Sequence, residues 1–184
     1  MATPTSLPAT FVAGNVLTAA QMNNLRGAFR ILQVVSTTKD DTFTSSSTSF
    51  TDITGLSATI TPSSTDSEIL VLANVKGSSD NGTSASSFFY RLVRGATAIS
   101  VGAAAGSRTR ATGALGTRLT GSAFILHSDT VVYLDSPNTT SATTYKVQGL
   151  TGAGTFYLNR RETDTDSSTS PRTVSSITLL EVSA

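Results

Sequence analysis

Hydrophobic and polar positions follow two different rhythms, and the change falls near residue 30. Before it, Met22, Leu25 and Phe29 recur at i, i+3 and i+7, one stripe of a helix, with Asn23, Asn24 and Arg26 off the stripe. Thr18-Ala-Ala-Gln21 reads as a capping box: the Thr18 hydroxyl accepts the Gln21 backbone N–H and the Gln21 side chain reaches back. Leu17 and Met22 flank the cap at the spacing of a hydrophobic staple. The pattern predicts a short α-helix of about three turns, too short to be stable alone in water. It needs a partner: its own β domain, a neighbouring subunit or a docking site. Residues 1–17 are rich in Pro, Thr and Ala and read as an extended arm.

From Ile31 onward the rhythm is that of strands. Runs of apolar and β-branched residues alternate with clusters of Ser, Thr, Gly and Asp, the signature of an all-β sandwich or barrel. Ile31 to Val35 is the first run. Ser49 to Ile53 and Leu56 to Thr61 follow, with Thr54-Gly55 between them as a tight turn. Ser67 to Lys76 opens on the continuous apolar run Ile69 to Leu72, as a central strand would. Ser87 to Arg94 and Ala96 to Val101 read as a hairpin turning at Gly95. Leu119 to His127 and Thr130 to Leu134 read as a pair about Ser128-Asp129. Thr143 to Gln148 and Thr155 to Asn159 flank the Gly-rich stretch Gly149 to Gly154, read as a hairpin turn. Thr173 to Val182 closes a series of roughly ten strands. Core candidates are Ile69, Val71, Phe88, Tyr90, Phe124, Leu126, Val147, Phe156, Ile177 and Leu179. The expected organisation is an arm and helix over 1–30 and a β head over 31–184.

Composition narrows the chemistry. Of 184 residues, 27 are Ser and 32 are Thr, a polar but uncharged surface that suits pleated strands. Only 14% are charged and the net charge is +1, which argues against a nucleic-acid binder. There is no Cys, so disulfides, thiolate metal sites and a Cys nucleophile are excluded. The start of the chain lacks a basic n-region, and no apolar run approaches the roughly 20 residues of a membrane helix. The expectation is a protein made in a cytoplasm, without membrane insertion and without cofactors.

Catalytic patterns find little support. The single His, His127, has Asp129 and Asp135 nearby, but no G-x-S-x-G elbow is present, and a structural or solvated role is the plainer reading. Glu162, Asp164 and Asp166 alternate like calcium ligands but lack the Gly and distal Glu of an EF-hand loop, so a solvated loop is expected. Phe88 to Arg91 with Arg94 could stack bases, yet Phe88, Tyr90 and Leu92 share one strand face and read as core. The segment 102–118 carries Arg108, Arg110 and Arg118 without a clear strand. Long ordered loops are often functional, and this one is a candidate surface-binding loop for an acidic partner.

Four stretches resemble tailed-bacteriophage virion proteins: Phe11 through Leu25, Thr48 through Val75, Ser136 through Gln148 and Ser176 through Val182. The resemblance implies an antiparallel jelly-roll-like β-sandwich, often a homotrimer, of the kind used in fibres, spikes and head decorations. It implies a non-enzymatic structural protein of the virion, most simply a tail fibre or spike component that binds other virion proteins or a host surface glycan. A head decoration or cement protein is the first alternative, and a polysaccharide depolymerase using paired carboxylates the second. In this reading Leu17, Met22, Leu25 and Phe29 form the assembly face of the arm, covered by neighbouring copies. Weakly charged outer strands point the same way, because they need cover.

Overall fold

The computed structural model describes residue 16 and residues 31–80, 87–115 and 126–183. The predicted helix, Leu17, Met22, Leu25, Phe29, Arg118 and Phe124 lie outside the described residues. Among the described residues there is no helix, so none is long and apolar enough to cross a membrane.

Among the described residues eleven strands are formed. They are β1 (Ile31–Lys39), β2 (Phe43–Ser45), β3 (Thr51–Ile60), β4 (Glu68–Ser79), β5 (Phe88–Arg94), β6 (Thr97–Ile99), β7 (Gly113–Leu115), β8 (His127–Asp135), β9 (Thr143–Thr151), β10 (Phe156–Leu158) and β11 (Ser175–Val182). All pairings are antiparallel. The first sheet runs β8-β4-β11-β1. Past the end of β11, the same edge of β4 pairs with β10, and β2 lies beyond it. The second sheet runs β3-β9-β5, and the other edge of β5 is shared between β6 and β7. The two sheets share one core, the layout of a β-sandwich.

Alternation decides which side chains fill that core. Along β4, Ile69, Val71, Ala73 and Val75 are fully buried while Leu70, Leu72 and Asn74 point to the other face. Phe88, Tyr90 and Leu92 of β5, Tyr145 and Val147 of β9, and Ile177 and Leu179 of β11 meet them. Burying each such large apolar side chain contributes roughly 1.5–3 kcal/mol. Of the core candidates, Leu126 is only half-buried, at the last position before β8.

Three expected turns are not turns. Thr54-Gly55 lies inside the continuous strand β3, where the register jumps from Asp52 opposite Gln148 to Ser57 opposite Lys146. Gly55, at φ +84°, supplies the left-handed backbone of this bulge, and the Lys39 side chain passes beneath it. Ser128-Asp129 lies inside β8, which runs unbroken from His127 to Asp135, so His127 opens a strand opposite Gly77 rather than ending one. Gly149 belongs to β9, and the chain then crosses from the second sheet to β10 in the first instead of forming a hairpin. Gly149 is needed for what lies above it. The Phe88 and Phe156 rings stack at 4.3 Å, and a Cβ at 149 would stand 2.8 Å from Phe156 and 2.9 Å from Phe88.

One buried polar residue ties the first sheet together. Asn159, fully buried and left-handed at φ 59°, follows β10. Its amide donates to the carbonyls of Lys39 and Asp41, and its Oδ1 accepts from the Ser175 hydroxyl. Its backbone N–H reaches Lys76 and its carbonyl accepts from Thr173. Every polar group of Asn159 is satisfied, which is what makes its burial tolerable.

Candidate functional site

The acidic residues that sequence reasoning placed near His127 are ties between the sheets. Asp135, at 4% exposure on β8, accepts from the Tyr145 hydroxyl at 2.6 Å and from Arg94 at 2.8 Å. Asp129, also on β8, accepts from the Tyr90 hydroxyl at 2.6 Å. Burial, and then the neighbouring carboxylate, push both phenols well above their ordinary range. Each bond joins a strand of one sheet to a strand of the other, so these carboxylates hold the layers in register.

Glu181 closes one end of the sandwich in a similar way. It is fully buried, and it accepts from the Gln33 amide at 2.6 Å and from the Ser63 backbone N–H and hydroxyl at 2.7 and 2.6 Å. Burial alone raises a carboxyl, but the bonds from Ser63 and Gln33 outweigh it and hold Glu181 at about 2. Gln33 also donates to Thr61, so β1, β11 and the β3–β4 connection are joined through one side chain.

The connection from β10 to β11 is a loop closed at its neck by the Thr173 N–H on the Asn159 carbonyl. Asp164 is gripped by both guanidinium nitrogens of Arg172, which hold its carboxyl below the usual range. Ser170 accepts from Arg161 at 2.6 Å. Asp164, Thr165, Asp166, Ser167, Ser170 and Arg172 line an open depression of about 320 Å³. Among the described residues, no three metal-ligating side chains come together there or elsewhere.

The arginine loop is partly described. Arg110 donates to the Gly102 carbonyl at 2.7 Å and Arg108 to the Ala105 carbonyl, so both guanidinium groups brace their own exposed loop. Arg118 lies outside the described residues. Part of the expected irregular stretch is a strand, β7, which caps the edge of β5.

The two outward faces differ in chemistry. On the second sheet, Asp52 accepts from Lys146 at 2.8 Å and from Gln148 at 2.7 Å. Gln148 accepts from Arg91, whose guanidinium lies 4.2 Å over the Phe50 ring. That face is a charged, hydrogen-bonded ladder built for water. The outward face of the first sheet carries no charge across three cross-strand rows. Leu134, Leu70, Leu180 and Val34 form one row in register. Val132, Leu72, Thr178 and Ser36 form the next, then Thr130, Asn74, Ser176 and Thr38. Val132 is 62% exposed, Val34 57% and Leu134 49%. Sequence reasoning did not isolate this face. Its signal was the unbroken apolar runs Ile69 to Leu72 and Val131 to Leu134 and the adjacent pair Leu179-Leu180, which put apolar groups on both sides of their strands.

No protein-family model matches the chain, and no curated protein matches it significantly.

Proposed function

We propose that this chain is a non-enzymatic structural protein of a tailed-phage virion, a trimeric fibre- or spike-type component that binds other virion proteins or a host surface. The virion setting rests on the resemblance described above. The strand order supports the jelly-roll form of the sandwich. Strands β1-β11-β4-β8 lie in one sheet and β3-β9-β5-β6 in the other, the interleaving of two Greek keys. The observation that carries an assembly role is the outward face of the first sheet. A row of four apolar residues, partly exposed and uncharged, sits opposite a sheet whose own outer face is charged. Contiguous exposed apolar surface of this kind marks an interaction site.

Sedimentation of the full chain at micromolar concentration tests the reading. A mass about three times 19.0 kDa is expected. A monomer at all accessible concentrations overturns it.

A further inference from the structure

We infer that the apolar outward face of the first sheet is the seat for residues 17–30 of a neighbouring copy of this chain, so that subunits assemble by exchanging arms. The inference deepens the assembly reading above and rests on it.

Chemistry, length and connection all point to this occupant. The face offers Leu134, Leu70, Leu180 and Val34 in one row, with Val132 and Leu72 beside them. The arm offers Leu17, Met22, Leu25 and Phe29 as its apolar stripe. Neither set contains a charge, so the match is one of shape and apolar area. The row crosses four strands, about 14 Å from the first to the last. The stripe from Leu17 to Phe29 spans about 18 Å as a helix. A helix laid across the strands therefore covers the whole row.

The connection selects the neighbour. β1 starts at Ile31, and the apolar stripe ends at Phe29, so only Arg30 lies between them. Connections that return a helix onto its own sheet usually need about two to six residues. With one residue between the stripe and the strand, a helix over that stripe would lack the connection needed to turn back onto its own sheet. Short connections of this kind favour exchange of the element between copies. Each subunit then gives one arm and receives one, a head-to-tail contact that closes into a ring where the rotation between copies allows it.

The chain has no Cys, so single cysteines report without background. Two full-length preparations, one carrying Leu25→Cys and one carrying Val132→Cys, are mixed, unfolded, refolded together and treated with a bis-maleimide spanning about 10 Å, the separation of packed layers. Val132 is exposed, so its replacement leaves the core intact. The expected product joins two different copies, at twice the 19.0 kDa chain mass. Pairing Leu25→Cys with Thr59→Cys, on the outward face of the second sheet, should give none. A chain with both Leu25→Cys and Val132→Cys that cross-links only within itself overturns exchange, because the arm then covers its own sheet. An oligomer without the cross-link overturns the seat and leaves the assembly reading standing. A monomer without it removes both.

Discussion

Replacing Glu181 with Gln should flatten the acid limb of the stability profile. Glu181 is fully buried, yet three donors from Ser63 and Gln33 keep it ionised. A carboxyl held at about 2 rather than its ordinary 4.5 corresponds to about 3 kcal/mol of stability, at roughly 1.4 kcal/mol per pH unit. The sign follows from which state binds the proton first. As pH falls through 4.5 the unfolded chain takes it up, while the folded chain resists until about 2. The stabilisation is therefore complete above about pH 5.5 and disappears progressively toward pH 2. Urea unfolding followed by far-UV circular dichroism, from about pH 7 down to about pH 2, measures it. At neutral pH Glu181→Gln should lose about 1.5–3 kcal/mol, because the bonds to a charged acceptor weaken and one amide donor now faces another. Toward pH 2 the variant and the parent should converge, with equal urea dependence in both. If the variant loses stability on acidification as steeply as the parent, the reasoning fails. The titrating groups would then be the more exposed carboxyls that Lys39, Lys146 and Arg172 hold low, Asp41, Asp52 and Asp164.

Two substitutions probe the other close-packed features. Asn159→Ala should cost roughly 2–4 kcal/mol in urea unfolding, since it removes three side-chain hydrogen bonds and sets Ala in a left-handed backbone. Asn159→Gly keeps the backbone and should cost less; equal losses would mean the backbone conformation is irrelevant. Gly149→Ala should cost about 1–3 kcal/mol and change the near-UV aromatic spectrum, because its Cβ would press on the Phe88–Phe156 stack. Gly102→Ala, whose nearest neighbour is 4.0 Å away, is the control, and equal losses in the two variants would refute the packing argument.

The strands were legible where a local pattern was sufficient to define them. Alternation along β4, β5 and β11 placed Ile69, Val71, Phe88, Tyr90, Ile177 and Leu179 in the core from their neighbours in sequence alone. The reading failed where residues that usually end strands are used inside them. Gly55 makes a bulge, Gly149 clears space for Phe156, and Asp129 faces the interior because Tyr90 donates to it. In each case the reason is a partner or a register shift that the local sequence does not show. The same holds for Glu181, whose donors Ser63 and Gln33 are 118 and 148 residues away. The arginine loop was legible as a segment, but Arg110 reaching back to Gly102 was not.

The distribution of polarity bears on how subunits would hold together. Asp129, Asp135 and Glu181 lie buried or half-buried and serve to lock the layers, while apolar residues stand outside on one sheet. The exposed apolar area of that face is on the order of 400 Å², in the range of the largest patch on an ordinary monomer, which is often functional. Covering it contributes about 10 kcal/mol at about 25 cal/mol per Å². Bringing two free molecules together costs roughly 4–15 kcal/mol, so a single such contact is close to balance. Exchange of arms changes that balance. In a closed ring every subunit takes part in two contacts, one through its own arm and one through its sheet. Removing a subunit must break both, while the ordering cost of a tethered arm is met at a high local concentration. A face too small to hold a separate partner firmly can therefore be large enough to hold a ring, provided the subunits are already stiff. The buried tyrosine–aspartate ties and the Asn159 junction supply such stiffness, which would connect the interior polar chemistry to the proposed assembly.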